Sequence, residues 1–223
     1  MDCFISCNYS IRLIEKLKSL DTEDVLDFEV INKAISFAKK YHQGQLRKSG
    51  EPFYSHPLEV AYIISDYNLK TDVIAASILH DIVEDTEVTI NMIKTNFNNR
   101  IAQLVKKVTR VKDPLTGYKP TVWDKIIEAW RDGDDEANLI KICDRQHNLS
   151  TIQYMLPAKQ IKIINETIDY FFYTNSIEVG DKLASLCFAN GKKSINNDSK
   201  KFFYLQNFSE DSFQLLSRVF QSD

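Results

Sequence analysis

The stretch "SILHDIVEDTEVT", residues 77–89, carries within six residues one imidazole and three carboxylates, His80, Asp81, Glu84 and Asp85, in a run rich in apolar residues. Wound on a helix at about 100° per residue, residues 74–85 place these four within an arc of about 140°. Ala75, Ala76, Ile78, Leu79, Ile82 and Val83 fill the remainder, so one side reads as core and the other as a polar cluster. No Lys or Arg is interleaved, and like charges at this spacing repel by a few tenths of a kcal/mol per pair. A solvated face accommodates such acids. So does a bound cation, and imidazole with carboxylate oxygens suits Mn²⁺, Fe²⁺, Zn²⁺ or Mg²⁺.

Outward from this stretch the pattern is helical. Only 6 Gly and 5 Pro punctuate 223 residues, and apolar side chains recur at spacings of three and four. Ile31, Ala34, Ile35 and Ala38 predict a helix over 28–41, closed by a loop at Gly44, Gly50 and Pro52. The next helix starts near Ser55, which could cap it, with Pro57 in the first turn. Further helices are expected near 71–84, 89–97, 99–110, 121–131, 136–151, 157–173 and 176–190. The Pro- and Gly-bearing residues 111–120 read as a surface loop and the polar residues 189–201 as a linker. The fold class is all-α: an N-terminal extension over 1–27, a main domain over 28–175 and a C-terminal helical extension over 176–223, whose aromatic tail reads either as a cover for the core or as a homo-oligomer contact.

The bulk composition narrows the function. A hydrophobic content of 43% supports one well-buried core, and a formal net charge of −3 supplies no global basic field for nucleic acid or anionic lipid. Apolar runs fall short of the roughly 20 residues that span a bilayer, and the N-terminus lacks signal-peptide character, so a cytoplasmic protein without nucleic-acid or membrane partners is expected. Four cysteines, scattered at 3, 7, 143 and 187, do not make a disulfide framework.

Two other places bear on the polar cluster. His56 opens the helix after the Gly-rich loop, and Asp144, His147 and Asn148 interrupt the apolar "LIKICDRQHNLST", residues 139–151. Alone, His56 reads as a capping or surface residue and "DRQHN" as a salt-bridged face. Together with His80 and Asp81 they supply further ligands.

The order His56, His80-Asp81, Asp144 resembles the pattern of the HD superfamily of metal-dependent phosphohydrolases. With "AISFAKKYHQGQLRKSGEPFYSHPLEVA", residues 34–61, "AASILHDIVEDTEVT", residues 75–89, and "LVKKVTRV", residues 104–111, the resemblance narrows to the hydrolase domain of the RelA/SpoT homologues. It covers roughly residues 28–170 and implies an HD-domain helical bundle. It also implies removal of the 3′-pyrophosphate of ppGpp or pppGpp in the stringent response, with a guanine nucleotide as substrate and Mn²⁺ as cofactor. By the resemblance, His56, His80, Asp81 and Asp144 are the metal ligands, and Glu84 and Asp85 act on the attacking water. Arg47, Lys48, Ser49, Lys112, Asn148 and Thr151 meet the nucleotide. Gln146 and Cys143 depart from the usual apolar residue and alanine, and residues 111–123 diverge. The alternatives are a phosphohydrolase of another nucleotide such as NADPH, and an alarmone sensor without turnover.

Overall fold

A computed structural model describes residues 7–110, 115–121, 124, 125, 128, 129 and 132–171. Lys112, the linker at 189–201 and the C-terminal extension lie outside the described residues, as does most of the helix expected at 121–131. The chain separates into two units, one ending at His147 and the other starting at Asn148.

The first unit is built from α1 (Asn8–Leu20), α2 (Phe28–Tyr41), α3 (Ser55–Ile64), α4 (Thr71–Ile78), α5 (Ile82–Asp85), α6 (Ile90–Asn96), α7 (Asn99–Val108) and most of α8 (Asp135–Ser150). The second holds the end of α8, a short 3₁₀ turn at Ile152–Tyr154 and α9 (Pro157–Phe171). Strand pairing among the described residues is confined to one isolated bridge, Leu46 with Pro52, which folds residues 42–54 into a tight loop. Gly44 and Gly50 turn that loop with positive φ, 78° and 88°, where a side chain would be strained.

Local chemistry sets the helix starts. Asp27 accepts from the N–H groups of Glu29 and Val30 at the start of α2, and Asn98 accepts from Ile101 at the start of α7. Ser55 does not cap α3, contrary to its sequence reading. Tyr54 occupies the cap position without a side-chain bond, Ser55 already lies inside the helix, and the bridged loop delivers the chain in helical geometry.

α4 is the centre of the unit. Val73 to Ile78 are all buried, the mark of a helix surrounded on every side. It packs against α2, α3 and α7, while α1 closes over α3 with Leu13 and Leu17 fully buried. α7 and the start of α8 are joined by charge: Asp134 meets Arg100 at 3.1 Å and Lys107 at 3.0 Å, and accepts from the Ala137 N–H as a helix cap. Burial raises the Asp134 carboxyl, but Arg100, Lys107 and that N–H outweigh it and hold its pKa at about 2. Because this lies below the unfolded value of roughly 3.9, its stabilisation is present above that pH and is lost as pH falls toward 2. Asp134→Ala is expected to cost about 1–2 kcal/mol in urea unfolding at pH 7, and the penalty relative to wild type shrinks in acid. An equal penalty at pH 7 and pH 3 would exclude the charge contribution.

Candidate metal centre

Sequence periodicity runs through residues 71–84 without a break, but the backbone does not. α4 stops at Ile78, and Leu79 leaves helical geometry with φ −102° and ψ 3°. His80 and Asp81 lie in the turn before α5, so the arc computed for one continuous helix does not describe them. The break has a side-chain cause: His80 Nδ1 bonds the Ser77 carbonyl at 2.7 Å, satisfying an acceptor at the end of the helix. Neighbours on a regular helix diverge by about 100°, and the turn removes that constraint.

The turn, α3 and α8 bring four side chains together. His56 Nε2 stands 3.3 Å from Asp81 and 3.1 Å from Asp144, while His80 Nε2 stands 3.1 Å from Asp81 and 3.6 Å from Asp144. Three of them, His56, His80 and Asp81, offer ligand atoms within 4.8 Å of one another. Both rings present Nε2 to the acids because Nδ1 is engaged behind them, on Ser77 for His80 and on His147 Nδ1 at 2.7 Å for His56.

The electrostatics suit a cation. Burial would lower His80, but the Asp81 and Asp144 carboxylates override it and raise its pKa. Burial likewise pushes Asp81 upward, yet His80 and His56 hold it well below the carboxylate range. Asp144 is held low against burial by Lys141, 3.6 Å away and itself buried, and by the two histidines. His80 Nε2 is fully enclosed without a hydrogen-bond partner. Two imidazole Nε2 atoms and two carboxylates converging on one point are the ligand set of a divalent ion, which would take the place of the ring protons, so the residues fit the group their types suggest.

His147, noted in the sequence beside Asp144 as a further ligand but absent from the ligand set that the resemblance implies, lies behind His56. Burial, then the charges of His56 and Arg47, lower its pKa to about 3. A neutral ring can accept at Nδ1, which fixes the tautomer of His56. The spacing Asp144 to His147 is three residues, one helical turn, and that spacing is the signal that could have found it.

The other site residues fall into distinct settings. Arg47 is half-buried at the loop tip; burial lowers its pKa while Asp81, Asp144 and Glu51 oppose the shift. Lys48 is exposed, and Ser49 donates to Glu51 at 2.9 Å. Glu84 is nearly enclosed and accepts from the Arg110 main-chain N–H at 2.8 Å, with the Arg110 guanidinium at 3.3 Å and Lys119 at 3.5 Å. Asp85 has its pKa raised to about 6 by burial and then by the charges of Asp81 and Glu84. Its carbonyl accepts from Gln45 at 3.0 Å, and Gln45 is joined to buried His42 at 2.8 Å. Asn148 and Thr151 belong to the second unit, where the Thr151 hydroxyl donates to the Asn148 carbonyl at 3.5 Å. Cys143 is fully buried in the core, and Gln146 buries an amide oxygen without a hydrogen-bond partner.

Among the described residues no helix is long and apolar enough to cross a membrane. Residues 34–172 match the family described as HD domain. A protein named GTP pyrophosphokinase from Myxococcus xanthus is 37% identical over 151 residues, covering 65% of this chain and 20% of the relative. One named guanosine-3′,5′-bis(diphosphate) 3′-pyrophosphohydrolase from Aquifex aeolicus is 35% identical over 162 residues, covering 72% and 23%. A Mycoplasma genitalium protein, named as a probable enzyme of that same type, is 32% identical over 176 residues, covering 75% and 24%. The chain thus spans about a fifth to a quarter of the length of these relatives. A solved structure described as a metazoan ortholog of SpoT that hydrolyzes ppGpp superposes with a TM-score of 0.61 at 22% identity, covering 73% of this chain and 96% of that one, which shows the shared fold.

Proposed function

Because this chain belongs to the HD domain family, we propose that it is a metal-dependent hydrolase that removes the 3′-pyrophosphate of ppGpp or pppGpp, releasing GDP or GTP and pyrophosphate and lowering the alarmone of the stringent response in the cytoplasm. The observation that carries this reading is the ring of His56, His80, Asp81 and Asp144, with both Nε2 atoms turned onto the two carboxylates. The names borne by the relatives in Aquifex aeolicus and Mycoplasma genitalium support the choice of substrate.

The four residues would hold a divalent ion, Mn²⁺ in this reading. When bound, such an ion supplies Lewis acidity that makes water nucleophilic near neutral pH and polarises a phosphoryl oxygen. Water adds to the phosphorus on the ribose 3′ oxygen, that ester bond breaks, pyrophosphate departs and the 3′ oxygen gains a proton. Asp85 takes the proton from the water: its pKa near 6 leaves it ionised at neutral pH yet basic enough to accept. Glu84, expected with Asp85 to act on the attacking water, is engaged with Arg110 and Lys119, and in this reading it stands beside the base and anchors the two cations. Arg47, half-buried and subject to the charges of Asp81 and Asp144, and Lys48 and Ser49 beside it, meet the nucleotide.

The test incubates metal-stripped protein with ppGpp, with and without Mn²⁺, and separates the products by anion exchange. Mn²⁺-dependent GDP and pyrophosphate is the expected result. Intact ppGpp in both tubes, with phosphate released from NADPH instead, would replace this substrate by another phosphorylated nucleotide.

A further inference from the structure

Glu84 lies one turn beyond His80, and its side chain is only 6% exposed. A buried carboxylate needs compensation, and Arg110 provides it through the main-chain N–H at 2.8 Å, Nε at 3.4 Å and Nη2 at 3.3 Å. Lys119 adds a second cation at 3.5 Å. That contact is long, and the Lys119 side chain is 54% exposed. Ion pairs of this kind contribute little or nothing to stability, and Glu84 is already satisfied without it. Lys119 also acts on the charge of Asp85, so its ammonium serves the proposed base as well as Glu84.

Resting on the hydrolase reading above, we infer that Arg110 and Lys119 form a subsite for the pyrophosphate group of the substrate, with Glu84 as the residue that positions them. The geometry selects for it. Arg110 already satisfies Glu84 through its main chain and guanidinium, and the exposed Lys119 ammonium, held by a long contact alone, is able to turn to a polyanion. Arg110 brings a planar donor fork suited to two phosphoryl oxygens, and Lys119 a compact charge on a mobile stem. A terminal phosphoryl group beyond the scissile phosphorus gains from this pair, whereas a simple monophosphate ester presents no such group. The pair therefore sets the preference for pyrophosphate esters over monophosphate esters at the same metal centre.

The experiment uses the full chain loaded with Mn²⁺ and inorganic pyrophosphate as the probe, with Lys119→Met to remove the charge and Lys119→Arg to restore it. Lys119 is exposed, so neither change burdens folding. Titration calorimetry is expected to show pyrophosphate binding weakened about tenfold in Lys119→Met and recovered in Lys119→Arg, with inorganic phosphate little affected. In the hydrolysis of ppGpp the same substitution raises KM more than it lowers kcat. Wild-type turnover of ppGpp with unchanged pyrophosphate binding in Lys119→Met would overturn the subsite and leave the hydrolase standing. Pyrophosphate binding that depends on Lys119 in a wild-type protein that does not turn over ppGpp would keep the subsite and overturn the substrate. Weakened binding that Lys119→Arg fails to recover would overturn a role based on charge.

Discussion

Asp81→Asn is expected to lower Mn²⁺ affinity by more than about 100-fold, because changes one shell farther from a metal already cost about 10- to 100-fold. Turnover of ppGpp falls with it at any sub-saturating metal concentration. Asp81 meets both rings, at 3.3 Å from His56 and 3.1 Å from His80, and stands nearer to His80 than Asp144 does, so its charge is shared by two of the other three residues. Asparagine keeps the shape and removes the anion, which separates loss of ligand charge from loss of packing. Far-UV circular dichroism should remain helical. The thermal midpoint of wild type should rise when Mn²⁺ is added, since an ion bound by the native state alone stabilises it by mass action. That rise should vanish in Asp81→Asn. Wild-type affinity and an undiminished rise in the variant would place the ion elsewhere.

Asp85→Asn is expected to reduce kcat by about 10² to 10⁴, the usual contribution of a positioned acid or base, while Mn²⁺ binding stays close to that of wild type. The pH profile supplies a second readout. Burial and the charges of Asp81 and Glu84 raise the Asp85 pKa to about 6, and a base works in its deprotonated form. Wild-type kcat should therefore fall as pH drops through this limb, with one proton taken up. A bound cation favours the carboxylate, so in the loaded protein the limb sits at or below pH 6. In Asp85→Asn the residual rate should lose that limb. A variant that keeps both its rate and the acidic limb would transfer the role to another group.

The helices from 28 to 41 and from 99 onward were legible because their apolar spacing is regular and capping residues stand at their starts: Asp27 before one, Asn98 before the other. The interruption after Ile78 was not legible. Apolar residues continue across it at helical spacing, no Gly or Pro marks it, and its cause is a ring nitrogen on a carbonyl. The members of the polar cluster could be named from residue type and order, since an unbalanced set of acids and imidazoles is visible in one dimension. Their orienting partners could not. The contact of His147 with His56 joins positions 91 residues apart, and Arg110 reaches Glu84 across 26. Nothing in "LVKKVTRV" distinguishes Arg110 from a solvated cation until the chain is folded.

The far-side bonds of the two histidines carry a practical consequence for handling the protein. Ser77 and His147 grip the rings from behind, through atoms that an ion does not use. Withdrawing the ion with a chelator leaves those far-side bonds intact. Small metal domains that collapse when stripped rely on the ion as their main cross-link; here the buried helices around α4 do that work. Emptying and refilling the centre is therefore expected to be a reversible exchange on a standing scaffold, so that one apoprotein preparation could be charged in turn with different divalent ions to compare their effects.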